Sequence, residues 1–111
     1  MKYDNENIFA KILKDEIPCD KVFEDEHVLS FKDINPQAKL HILIIPKKKF
    51  IDIADFLENA DEEYQSFFWS SVNKIIIKFD LRDKGFQIKS HKGKDGGQEV
   101  FHFHLHLLSN S

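Results

Sequence analysis

Between Val100 and Leu108 histidine alternates with large apolar residues, in the order Val100-Phe101-His102-Phe103-His104-Leu105-His106-Leu107-Leu108. Successive side chains of a β-strand point to opposite faces. The pattern predicts a strand with His102, His104 and His106 on one face. Phe101, Phe103, Leu105 and Leu107 fall on the other, against a core. A helix would scatter both sets around its circumference. Half of the six histidines in the chain stand in this row.

Three uses of such a row compete: incidental surface histidines, a metal site, and chemistry on an anionic centre with imidazole as nucleophile or proton carrier. At a rise of about 3.3 Å per residue, neighbouring histidines lie about 6.6 Å apart and the outer pair about 13 Å apart. Zinc–nitrogen bonds are only about 2 Å long. One metal could take two of these histidines easily, and all three only with strain. A phosphate-sized group fits one central histidine with a helper on each side. His104 is central and is the nucleophile candidate, because imidazole with a pKa near 6.5 is neutral and reactive at ordinary pH. Gly96 and Gly97, just upstream, let backbone N–H groups approach an anion, or simply make a tight turn. The lysine and hydroxyl spacing of a Walker-type loop is missing.

The chain has 111 residues, which predicts one domain over 1–111. Net charge is −3 with both signs interspersed, so no electropositive field for nucleic acid is expected. Cys19 is the only cysteine, which excludes an internal disulfide and suits a reducing compartment. The N-terminus is polar, without a signal pattern, and no apolar run approaches the roughly 20 residues that span a bilayer. These features predict a cytoplasmic protein with no membrane partner.

Residues 5–14 carry Ile8, Phe9, Ile12 and Leu13 at helical spacing, with Asn5 or Asn7 as cap and Pro18 as stop. Residues 22–24 and 28–32 read as strands around the turn Asp25-Glu26-His27, with His27 solvated. Phe31 and Asp33 fall on one face of the second strand. Residues 40–45 form an apolar strand interrupted only by His41, which suits a core histidine with a polar neighbour. Tyr64, Phe67, Phe68, Ser71, Val72, Ile75, Ile76 and Phe79 predict a long helix, begun at Asp61-Glu62-Glu63 and ended before Gly85. Residues 85–90 give a fourth strand, and a loop from Lys92 to Gly97 leads into the histidine row. Helix, three strands, long helix and two strands argue for the α+β class, an antiparallel sheet carrying helices.

The segment Gly96-Gly97-Gln98-Glu99-Val100-Phe101-His102-Phe103-His104-Leu105-His106-Leu107-Leu108 resembles the signature of the histidine triad (HIT) family. Asn7-Ile8-Phe9-Ala10-Lys11-Ile12, Phe23-Glu24-Asp25, Phe31-Lys32-Asp33-Ile34-Asn35-Pro36-Gln37-Ala38 and His41-Ile42-Leu43-Ile44-Ile45-Pro46-Lys47-Lys48 resemble its Hint branch, in the same order. The resemblance implies a HIT-like fold with a five-stranded antiparallel sheet and two helices, its sheet joined to that of a second copy in a homodimer. It implies a purine nucleoside phosphoramidase that needs no metal or cofactor. Such enzymes split adenosine 5′-phosphoramidate or AMP-lysine into AMP and an amine. His104 would attack phosphorus to give a nucleotidyl-histidine that water hydrolyses, with His106, His102 and, in support, His41 assisting. Asp33 would hold the ribose hydroxyls, with Ile34 against sugar and base. Phe9, Ile12 and Phe31 would join the nucleotide site, and His91, Gly97, Gln98, Glu99 and Val100 the phosphate.

The chain departs from the family at several positions. His91 stands where asparagine is frequent, and Glu99 where some members have serine. Asn7 and Ala10 replace a Cys-x-x-Cys pair, and Lys49 a frequent histidine, so no structural zinc is expected. The competing functions are a nucleotide-sensing or protein-interaction module with little turnover, a dinucleoside polyphosphate hydrolase, and a metalloprotein using two histidines of the row.

Overall fold

The computed structural model describes residues 1–111 as α1 (Ile8–Leu13), β1 (Lys21–Glu24), β2 (Val28–Lys32), β3 (Leu40–Pro46), α2 (Ile53–Asn59), α3 (Glu62–Lys78), α4 (Leu81–Lys84), β4 (Gln87–Lys89) and β5 (Leu105–Ser109). The five strands form one antiparallel sheet in the order β1-β2-β3-β5-β4. No helix is long and apolar enough to cross a membrane.

Apart from His41, strand β3 is apolar along its length because both of its faces are covered. Ile42 and Ile44 join Val28, Leu105 and Leu107 against Phe68, Val72 and Ile75 of α3. Leu43 and Ile45 join Leu29 and Phe31 against Phe9 and Ile12 of α1. Burying a side chain such as Phe68 or Ile75 in full stabilises the fold by about 1.5–3 kcal/mol each. His106 lies opposite Leu43, and His41 opposite Leu108. With period 2, both histidines therefore face the α1 side of the sheet.

Helix α3 starts as expected, with the Asp61 side chain accepting from the Tyr64 amide at 2.7 Å. It does not run to Gly85. Asp80 adopts a left-handed φ of 56°, and the single turn α4 follows. Gly85, at φ 93°, closes α4 instead. Helix α1 is capped by Asn7, whose side chain accepts from the Ala10 amide at 2.9 Å. It ends well before Pro18, where Asp15 turns left-handed at φ 61° and Glu16 N–H bonds back to the Lys11 carbonyl. Asp52 caps α2, accepting from the Asp55 amide at 2.8 Å. Short helices α2 and α4 are thus added to the two helices read from the sequence.

The Asp25 turn forms as expected, its carboxylate accepting from the amides of His27 and Val28 at 2.8 Å. His27 is only partly solvated. It stacks on Phe67 with ring centroids 4.5 Å apart and planes 7° from parallel.

Candidate functional site

Only His106 of the histidine row belongs to a strand. The ladder begins at Leu105, and His102 and His104 sit in irregular backbone just before it. There the Phe103 amide donates to the Phe50 carbonyl at 2.7 Å. Phe103, Leu105 and Leu107 still enter the core, while Phe101 is only half-buried. The three imidazoles consequently do not share one open face. His102 has 0% exposure and His104 7%.

Hydrogen-bond partners fix the state of each ring. His104 Nδ1 is 2.7 Å from the carbonyl oxygen of His102. A carbonyl only accepts, so Nδ1 carries the proton and Nε2 keeps its lone pair. Burial holds the pKa of His104 below the ordinary histidine value. His102 therefore orients its neighbour through its main chain, not through its imidazole. The imidazole of His102 lies between Tyr3 Oη, at 2.5 Å from Nδ1, and the Pro46 carbonyl, at 2.9 Å from Nε2. Burial lowers its pKa to about 4.

His41 is buried, and its Nδ1 accepts from the Gln37 amide at 3.1 Å. Its Nε2 then bears the proton, 3.0 Å from His106 Nδ1 and 3.3 Å from Asp33 Oδ2. His106 thus accepts at Nδ1 and carries its own proton on Nε2. Burial, then the neighbouring His104, His41 and His91, push its pKa down to about 4. His91 stands edge-on to His106, with ring centroids 5.2 Å apart, and its Nδ1 donates to the Gly96 carbonyl at 2.9 Å. No partner within the chain meets Nε2 of His104 or of His106.

Phe9 packs edge-on to His104, with centroids 5.0 Å apart, and also against Phe31. Phe9, Ile12 and Phe31 are all buried, and Val100 packs on the same cluster. Ile34 stands free at 87% exposure. Asp33 lies just past β2, half-buried, and accepts from the Asn35 amide at 2.8 Å. Glu99 is exposed.

The glycine loop makes the tight turn that was one of its two readings. The amides of Gly97 and Gln98 donate to the carbonyls of Lys94 and Gly93. The Gln98 side chain is buried and bonds to Ile51, Val100 and Gly93. Gln98 braces the loop, and its groups are unavailable to a ligand. No acceptor within the chain meets the Glu99 amide, nor those of Gly96 and Val100, which leaves them as free donors beside the row. A Cβ at Gly96 would lie 2.3 Å from the Lys92 carbonyl oxygen, and Gly97 has φ 78°. These glycines are required by the turn itself.

Sequence reading missed Tyr3 and the Gln37 amide. Neither carries a local signal, since each acts on a ring brought near by the fold. Two hollows lie away from the row. One, of about 680 Å³, lies beside Ile12, Ile17, Cys19 and Leu29, and the other, of about 360 Å³, beside His27, Tyr64 and Phe67.

Asp33, His41 and His106 place three potential ligand atoms within 4.8 Å of one another. That spacing suits a tetrahedral cation with bonds of about 2 Å. The protonation does not. The Gln37 amide occupies the Nδ1 lone pair of His41, so Nε2 holds the proton that a metal would have to displace. The cluster is a hydrogen-bonded unit that does not fit zinc.

The profile of the HIT domain family matches residues 14–111. An uncharacterized 13.2 kDa HIT-like protein of Azospirillum brasilense is 44% identical over 107 residues, which cover 96% of this chain and 88% of that protein. A 14 kDa zinc-binding protein of Zea mays is also 44% identical over 107 residues, covering 95% and 82%. Among solved structures, a HIT family hydrolase from Legionella pneumophila superposes with a TM-score of 0.86 at 40% identity, covering 96% and 94% of the two chains. A histidine triad protein from Clostridium difficile gives 0.84 at 38% identity, covering 100% and 95%. Sheet order, histidine row and sequence agree: this chain belongs to the HIT domain family.

Proposed function

We propose that the protein is a nucleotide hydrolase that cleaves the P–N bond of purine nucleoside phosphoramidates such as adenosine 5′-phosphoramidate or AMP-lysine. One observation carries this reading. The carbonyl of His102 accepts a hydrogen bond from His104 Nδ1–H, which leaves the Nε2 lone pair unpartnered, beside the unpartnered Nε2–H of His106. The hydrolase from Legionella pneumophila, similar over nearly the whole chain, supports the same class of reaction.

In this mechanism His104 Nε2 forms a bond to the α-phosphorus. The P–N bond breaks, and its electron pair leaves with the amine, which takes up a proton from solvent. His106 Nε2–H donates to the phosphoryl oxygens as charge builds on them. Water then attacks the nucleotidyl-histidine and returns His104 with AMP. The Glu99 amide adds a backbone donor for the phosphate, and His91 flanks it. Asp33 accepts from the ribose hydroxyls, with Ile34, Phe9, Ile12 and Phe31 on the sugar and base side. His41 holds the His106 tautomer. No metal or cofactor enters.

The reading includes a cytoplasmic single HIT domain over residues 1–111, working as a homodimer. Strand β4 supports the dimer. It is a short exposed edge with one side unpaired, carrying the exposed Ile88 at its centre and preceded by the exposed Phe86. AMP release from adenylyl-lysine by wild type and by His104→Ala tests the function. A wild-type rate no greater than that of the variant refutes it.

A further inference from the structure

The first histidine of the row is held by a residue 99 positions away. Pro46 offers a carbonyl to His102 Nε2, so that nitrogen carries the proton and Nδ1 holds a lone pair. Tyr3 Oη, 2.5 Å from Nδ1, must then be the donor. Burial raises the pKa of this hydroxyl and keeps its proton in place. The two rings meet edge-on with centroids 5.7 Å apart, and the Lys49 ammonium lies 5.9 Å from the centre of the Tyr3 ring. The match is complete: a ring with no water around it has one donor partner and one acceptor partner, each of the required kind.

We propose that Tyr3 is a positioning residue for the transfer reaction, locking the ring of His102 and with it the carbonyl that orients His104. The proposal rests on the phosphoramidase reading. Tyr3 needs no contact with substrate to act. Without its hydroxyl, His102 Nδ1 is a buried acceptor lacking a donor, which is costly. Relief requires the ring to turn, losing Pro46, or to move outward toward water. Outward movement shifts the backbone of residue 102, and a turned ring gives up the Pro46 bond that braces it, so either loosens the carbonyl that is the sole partner of His104 Nδ1. The nucleotide contacts are untouched, so the effect falls on the rate of transfer and not on binding.

The test uses the full chain carrying Tyr3→Phe. Its kcat on adenylyl-lysine falls about tenfold, the equivalent of one hydrogen bond, while KM and AMP affinity hold. In nitrogen-15 spectra the His102 Nδ1 resonance moves downfield, as an acceptor that has lost its donor, and the His104 Nδ1–H signal shifts with it. Placing 3-fluorotyrosine at position 3 keeps the ring and strengthens the donor, so kcat is retained and the His102 resonance moves the other way. A wild-type kcat in Tyr3→Phe, or a rise in KM with kcat intact, overturns the proposal. So does an unmoved His104 signal, because Tyr3 would then only hold the N-terminus in place. If wild type itself shows no turnover beyond His104→Ala, the phosphoramidase reading fails, and the His104 signal alone decides whether Tyr3 positions that ring.

Discussion

His41 Nε2 lies 3.0 Å from His106 Nδ1, and the proton between them is assigned to His41 by the Gln37 amide on its far side. One backbone N–H thus sets the tautomers of two imidazoles in succession. Replacing His41 by Phe removes the donor and leaves two polar groups unpaired. His106 is then free to adopt the other tautomer. We expect kcat to fall about 10- to 100-fold and stability by about 1–3 kcal/mol, measured by AMP release and urea unfolding.

Stability should decline in mild acid because of His102. Its pKa is near 6.5 in the unfolded chain and about 4 in the fold. The unfolded state takes up the proton first. The contribution of the neutral ring is therefore complete above about pH 6.5 and is lost as pH falls toward 4. The full loss is roughly 3 kcal/mol. Urea midpoints that stay constant between about pH 7 and 4.5 contradict this.

Activity should resist acid further than a free histidine would. Burial lowers the pKa of His104, so its Nε2 lone pair survives below the ordinary histidine value. A profile of kcat/KM should run level through about pH 6.5 and drop only in stronger acid. A midpoint above that value contradicts a buried attacking ring.

Gly96 tolerates no side chain. A Cβ would meet the backbone oxygen of Lys92 at 2.3 Å, and neither atom belongs to a flexible group. Gly96→Ala must open the turn that ends at the Glu99 amide. AMP affinity should weaken at least about tenfold, near 1.4 kcal/mol, in calorimetry.

Zinc should be dispensable. Purified protein is expected to carry far less than one zinc per chain, and EDTA should leave AMP release unchanged. Stoichiometric metal whose removal abolishes turnover would show that His41 gives up its Nε2 proton after all.

The sheet and the long helix were legible because their residues repeat. Ile42 and Ile44 on one side of β3, with Leu43 and Ile45 on the other, announce a strand covered twice. Tyr64, Phe68, Val72, Ile75 and Ile76 trace one face of α3. Helix α2 was not legible. Phe56 is its only buried residue, set among acidic neighbours that resemble a loop. The histidine row was half legible. Alternation reports which way side chains point, and Phe103, Leu105 and Leu107 do point inward, but it says nothing about where the ladder starts. Gln98 was placed at the phosphate by the family resemblance alone, and nothing in its neighbours signals that its side chain is buried. Its burial follows from three loop bonds that close only in the fold.

The oxygen that steers His104 belongs to the main chain. No codon change can delete it. Scanning mutagenesis will score position 102 for how well a side chain fills its cavity and will overlook what its peptide group does. Semisynthesis can reach it. A 2-hydroxy acid at position 103 turns the linkage into an ester with a poorer acceptor, and it also removes the N–H that meets Phe50.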